Sequence, residues 1–106
     1  MNLDGARQAF LEEVAELLRL MEDALLALES NPQDPESLNE VFRAMHTIKG
    51  TGGVFGYTPV VDFTHQVETL MDQVRSGLIP MTKPLIATLL DCRDHTGRLV
   101  EFIATG

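Results

Sequence analysis

Between Asp4 and Glu29, apolar residues recur every three or four positions: Phe10, Val14, Leu17, Met21, Leu25 and Leu28. That is the helical period, and Leu11 and Leu18 add a second stripe that widens the face to be buried. Glu12, Glu13, Glu16, Arg19 and Asp23 take the opposite side. Ser30-Asn31-Pro32 ends the segment, because proline forces the residue before it out of helical geometry. A second helix is announced by Asp34-Pro35-Glu36, which reads as a capping carboxylate, a proline at the first helical position and an acid in the first turn. Its apolar face is Leu38, Val41, Phe42, Met45 and Ile48, and it runs to Phe55, where glycines accumulate. Thr58-Pro59 repeats the cap-then-proline grammar and opens a third helix along Val60, Phe63, Val67, Leu70, Met71 and Val74, closed by Ser76-Gly77. Thr82, with Pro84 in the first turn, opens a fourth whose spine is Leu85, Leu89, Cys92, Thr96, Leu99 and Ile103.

No run alternates with period two for long enough to make a strand. Short links between amphipathic helices make sequential helices antiparallel neighbours. The pattern therefore predicts an all-α, antiparallel up-down four-helix bundle, with helices over about 4–29, 35–55, 59–76 and 83–104 in one domain, 1–106. A chain of 106 residues holds one core and not two, and its 44% hydrophobic content suffices without metals or disulfides. The single cysteine, Cys92, has no internal partner, which suits a reducing, cytoplasmic setting. Beside Leu89, Leu90 and Leu99 it reads as a buried structural thiol, and the methionines read as core filler.

Charge narrows the function. Eight Lys and Arg against sixteen Asp and Glu give a net charge of −8, a surface that repels nucleic acid and anionic membranes. The acidic, amphipathic N-terminus does not read as a signal peptide, and no apolar stretch is long enough to span a bilayer. No further apolar stripe is visible, so a monomer is expected.

The stretch that carries chemistry runs from His46 to Gly56, His-Thr-Ile-Lys-Gly-Thr-Gly-Gly-Val-Phe-Gly. On a helical wheel His46 lies roughly 120° from the centre of the apolar cluster, at the rim of the buried face or beyond it. Lys49 follows within one turn, so its ammonium can reach the space above the imidazole. Gly50 and Gly53 leave a stripe without side chains beside the ring. Each interior glycine costs about 1 kcal/mol relative to alanine, so the run calls for compensation. Close helix packing and clearance for a docking protein both answer that need. On the third helix His65 and Glu68 share a face, and an antiparallel neighbour would bring Glu68 toward His46. A carboxylate accepting from Nδ1–H would fix the tautomer and leave Nε2 basic and free to attack phosphorus. Lys49 would then offset charge on phosphoryl oxygens.

Singly, each of these residues has an ordinary explanation. His46 and Lys49 would be solvated helix surface, and His65 with Glu68 a rim pair. His95, beside Asp94 and one turn from Asp91, reads as surface. Two other function classes also stay open. One is a helical adaptor whose glycine stripe receives a partner helix. The other is a metal site on His46, His65 and Glu68, although di-iron bundles use Glu-x-x-His pairs and here the order is reversed and occurs once.

The combination is more specific than its parts. Phe42-Arg43-Ala44-Met45-His46-Thr47-Ile48-Lys49-Gly50 resembles the H-x-x-K-G motif of histidine phosphotransfer domains. The wider chain resembles the N-terminal phosphoacceptor domains of CheA-type chemotaxis kinases. The similarity takes in Phe10-Leu11-Glu12-Glu13, Leu38-Asn39, Phe55-Gly56-Tyr57-Thr58, Thr64-His65, Glu68-Thr69-Leu70-Met71-Asp72 and Arg75-Ser76-Gly77, over roughly residues 8 to 103. The resemblance implies that His46 is phosphorylated on Nε2 and that Glu68 bonds the other ring nitrogen. It further implies that Lys49 and His65 line the site, with Gly50 and Gly53 clearing room for a partner. A separate kinase catalytic domain would supply the phosphoryl group with ATP and magnesium. An aspartate on a CheY-like or CheB-like response-regulator receiver would accept it. The domain itself would need no cofactor and catalyse no ATP hydrolysis, since Gly50-Thr51-Gly52-Gly53 follows a helix and lacks a P-loop's spacing. Domains of this type usually carry a fifth helix beyond the bundle. That would make this chain a shortened or minimal version, with the catalytic and dimerisation parts of a kinase outside it.

Overall fold

Proline and glycine set the helix ends. In a computed structural model, which describes residues 3–105, the chain forms α1 (Leu3–Ser30), α2 (Pro35–Val54), α3 (Thr58–Arg75) and α4 (Lys83–Thr105). These bounds fall within about one residue of those the sequence predicts. Of the expected 1–106 span, positions 1, 2 and 106 lie outside the described residues. Both α2 and α3 end in a Schellman motif. Gly56, at φ +73°, lets Tyr57 N–H reach Gly52 C=O at 2.9 Å and Gly56 N–H reach Gly53 C=O at 3.1 Å. Gly77, at φ +83°, does the same for α3 through Leu78 N–H to Gln73 C=O at 2.9 Å.

The starts differ from expectation in detail. Asp34 occupies the N-cap of α2 in extended geometry, but its carboxylate accepts from the buried Ser37 hydroxyl at 2.7 Å and makes no bond to a backbone amide. Thr58 is already inside α3, whose N-cap is Tyr57. At α4 the expectation holds: Thr82 Oγ1 accepts from Leu85 N–H at 3.3 Å.

The molecule measures 44 × 21 × 19 Å. A 28-residue helix is about 42 Å long, so α1 spans the whole long axis. With links of only residues 31–34, 55–57 and 76–82, successive helices must reverse direction. Each helix touches its two neighbours around a square (α1–α2, α2–α3, α3–α4, α4–α1), and no diagonal pair meets among the described residues. This is an antiparallel up-down four-helix bundle. No described helix is long and apolar enough to cross a membrane.

Met21, Leu25, Leu28, Val41, Met45, Ile48, Val60, Met71, Ile86 and Leu89 fill the core. Two stripes sit differently from the sequence reading. In α1, Leu18 is buried and Leu17 only half so. In α4, Ile86, Val100 and Ala104 are buried beside Leu89 and Thr96, while Leu85, Cys92, Leu99 and Ile103 lie at the edge. Apolar residues occupy two adjacent stripes on each of these helices, and only the contact with the neighbour decides which becomes central. For α4 part of the decision is Gly97, where an added Cβ would stand 3.2 Å from Leu18 Cδ1 and so allows close approach to α1. Arg93 of α4 fastens the same seam, donating through Nε to Leu18 C=O at 2.7 Å and pairing with Glu22 at 3.1 Å. Cys92 is thus half-buried, not sealed in the core; burial, then the charge of Asp91, push its thiol up and leave it a poor nucleophile. Met21, Met45, Met71 and Met81 are all buried, as core filler should be.

Candidate functional site

Two residues of α2, less than one turn apart, face one residue of α3. His46 projects from the rim of the buried face, between buried Met45 and Ile48 on one side and solvent on the other. Its side chain is 61% exposed. Across the α2–α3 seam Glu68 is only 13% exposed, and its Oε1 lies 3.2 Å from His46 Nδ1. A carboxylate can only accept, so Nδ1 carries the proton, and in the neutral ring Nε2 is the nitrogen with the lone pair. The other oxygen, Oε2, is sealed from solvent without a well-aligned hydrogen-bond donor, and the Lys49 ammonium 2.8 Å away compensates it as an ion pair. Burial by itself raises the Glu68 pKa. The Lys49 and His46 contacts together outweigh that cost and hold the carboxyl below the usual carboxylate range. The acid behind the imidazole is therefore ionised.

The glycines divide into two kinds. Gly50 is exposed, and a Cβ added there would meet nothing within 4 Å. Gly53 is exposed too, with only Val61 Cγ2 at ordinary contact, 3.9 Å. Gly52, by contrast, is buried, and its Cβ would stand 3.2 Å from Val60 Cγ1. Helix packing thus explains Gly52, while Gly50 and Gly53 leave open surface next to the ring. Val54, 84% exposed, continues that surface toward the end of α2.

His65 is exposed on α3, less than a turn before Glu68, and its side chain makes no hydrogen bond or ion pair among the described residues. It neighbours the site without joining the His46–Glu68–Lys49 chain. No group of three or more His, Cys, Asp or Glu side chains is placed to hold a metal ion among the described residues. His95 is exposed as expected, though its ring meets Phe63 edge-on at 4.6 Å.

Two residues near the ring went unnoticed as such in the sequence. Phe42, assigned simply to the apolar stripe, is half-buried and lies nearly parallel to the imidazole, 5.9 Å between centroids and 10° between planes. Arg75 crosses from α3 with its guanidinium carbon 3.6 Å from the Phe42 ring centroid. The available signal was spacing: Phe42 is four residues before His46, and Arg75 seven after Glu68, two turns along the same face.

Comparison with known proteins agrees with this geometry. Residues 5–99 match the family model described as Hpt domain. The chemotaxis protein CheA of Listeria monocytogenes is 35% identical over 97 residues, 92% of this chain and 16% of the relative, so the chain spans a small part of such proteins. The CheA phosphotransferase domain from Thermotoga maritima superposes with a TM-score of 0.87 at 35% identity, covering 93% of this chain and 94% of that one. The phosphorylated P1 domain of CheA3 in complex with CheY6, from R. sphaeroides, gives 0.87 at 30% identity over 96% of this chain and 80% of that one. With its helices, its exposed histidine and its relatives in accord, the chain belongs to the Hpt domain family.

Proposed function

We propose that this domain takes a phosphoryl group onto Nε2 of His46 from the ATP-bound catalytic domain of a histidine kinase and hands it to an aspartate of a response-regulator receiver. The observation that carries this is the His46 ring itself: a side chain 61% exposed, with an ionised carboxylate 3.2 Å from Nδ1. In the first step the Nε2 lone pair forms the N–P bond while the bond from phosphorus to the β,γ-bridging oxygen breaks and ADP leaves. The ring gains positive charge as that bond forms, and Glu68 behind it stabilises that charge without moving. In the second step the receiver's carboxylate oxygen forms the O–P bond, the N–P bond breaks, and the electron pair returns to Nε2.

Lys49 has a double part in this reading. Its ammonium holds Glu68 anionic as an ion pair, and its N–H groups can also meet phosphoryl oxygens above the ring. His65 supports the site from its rim. Gly50 and Gly53 provide the clearance across which a receiver approaches. ATP and magnesium belong to the kinase partner, and the domain alone turns nothing over. The CheA3 relative, phosphorylated and bound to CheY6, supports a receiver as the second partner.

The test is to incubate the domain with a CheA-type catalytic fragment and labelled ATP. Wild type should acquire an acid-labile, base-stable phosphate, and His46→Gln should acquire none. A wild type that stays unlabelled, or label that survives in His46→Gln, overturns the reading.

A further inference from the structure

A single hydrogen bond to Nδ1 does not fix an imidazole. It anchors one atom at 3.2 Å and leaves the ring, which is largely in water, able to swing about that contact. Attack on phosphorus needs more, because the Nε2 lone pair lies in the ring plane and must point along the line of the breaking P–O bond. Something must therefore set the plane. Helical side chains lean toward the N-terminal turn, which carries His46 over the residue four positions earlier. That residue is Phe42, and the two rings are within 10° of parallel.

Phe42 is in turn held from the neighbouring helix. The Arg75 guanidinium sits 3.6 Å from its ring centroid. The guanidinium does not float: Nη1 donates to Asn39 Oδ1 at 3.0 Å and Nη2 to Asp72 Oδ1 at 2.8 Å. Both partners flank the α2–α3 seam, so the planar fork has little freedom to turn. We propose that Phe42, clamped by Arg75, is a positioning residue that sets the plane of the His46 ring for in-line phosphoryl transfer, while Glu68 sets its tautomer. The proposal rests on the phosphotransfer reading for its consequence, but the orientation of the ring stands apart from it.

Arg75 also has a plainer role open to it, since it is the basic residue in the last turn of α3 and complements the helix dipole. The experiment separates the two. Phe42→Leu keeps apolar bulk and removes the flat face; Phe42→Tyr restores the face; Arg75→Lys keeps the dipole charge and loses the fork. The first readout is the set of residual dipolar couplings of the Cδ2–Hδ2 and Cε1–Hε1 bonds of His46, which report the orientation of the ring. Wild type and Phe42→Tyr should share one set of couplings, while in Phe42→Leu and Arg75→Lys they should average toward smaller values with Nδ1–H kept in all four. The second is the rate of phosphorylation by the catalytic fragment, expected to fall about tenfold in Phe42→Leu and to recover in Phe42→Tyr. If Phe42→Leu does not fold, Arg75→Lys carries the same two expectations. Wild-type ring couplings in both of those variants overturn the proposal, and so do altered couplings with an unchanged rate. If wild type itself takes no phosphate, the phosphotransfer reading falls, and the ring couplings alone decide whether Phe42 orients His46.

Discussion

Glu68 stands behind His46 as a nearly buried carboxylate behind a largely exposed imidazole, 3.2 Å from Oε1 to Nδ1. Its second oxygen is held by Lys49 at 2.8 Å, so one acid joins the ring to the cation on the same helix. Glu68→Gln keeps the shape and removes the charge. The amide can still accept from Nδ1–H, but it no longer balances the positive ring that forms as Nε2 attacks. Phosphorylation of His46 should slow by about 10- to 100-fold, the range seen when carboxylates behind metal-bound imidazoles are removed. Helical content should be unchanged. A stopped reaction at several times with labelled ATP measures this, and a wild-type rate removes Glu68 from the mechanism.

The same carboxylate makes stability depend on acid. Lys49 and His46 hold the folded Glu68 pKa below its ordinary 4.5, so the unfolded chain binds more protons as the solution is acidified. The contribution is therefore fully present above 4.5 and is lost as pH falls toward the lowered folded value. Urea unfolding of wild type and Glu68→Gln should show a gap near neutrality that narrows as pH drops below 4.5. A gap that widens on acidification contradicts the ion pair.

The places where the sequence was readable share a physical cause. Helix ends follow from proline and glycine chemistry that acts within a few residues, so Pro35, Gly56 and Gly77 marked their boundaries without any tertiary information. The tie from His46 to Glu68 was legible because helical spacing and antiparallel neighbours leave few other partners. What failed depended on rotation of one helix against another. Leu17 and Leu18 are equally apolar, and contacts from α4, those of Gly97 and Arg93 among them, set Leu18 inward. The miss at Asp34 was local instead: Ser37, three residues on, offers a hydroxyl that takes the carboxylate in place of a backbone amide. Phe42 was hidden in its own stripe: an aromatic at a rim position counts as core until a guanidinium from α3 is seen on it.

Gly77 tests the closing of α3. Its φ of +83° belongs to the left-handed region, where a Cβ crowds the following carbonyl. Space is not the difficulty, since nothing lies within 4 Å of the added methyl. Gly77→Ala should thus lose about 1–2 kcal/mol through backbone strain alone. Asn, which tolerates that region better, should recover part of it at the same position. Thermal melts of the two variants provide the comparison, and an Ala variant as stable as wild type would show that the α3 end relaxes without cost.

Gly50 and Gly52 are two positions apart on one helix, and replacing each by alanine should have opposite consequences. At Gly50 the new methyl meets nothing, so the helix gains up to about 1 kcal/mol of propensity. At Gly52 it would press on Val60 Cγ1 of α3 at 3.2 Å. Overpacking there outweighs the propensity gain and should leave a net loss of about 1 kcal/mol. Function should sort the other way. If Gly50 keeps the approach to His46 clear, Gly50→Ala will unfold at higher temperature yet pass its phosphoryl group to a receiver more slowly, whereas Gly52→Ala, once folded, will transfer at the wild-type rate. Melting curves paired with transfer from the phosphorylated domain read both effects. A Gly50→Ala domain that is more stable and transfers as fast as wild type would mean that this open stripe is not where a receiver docks.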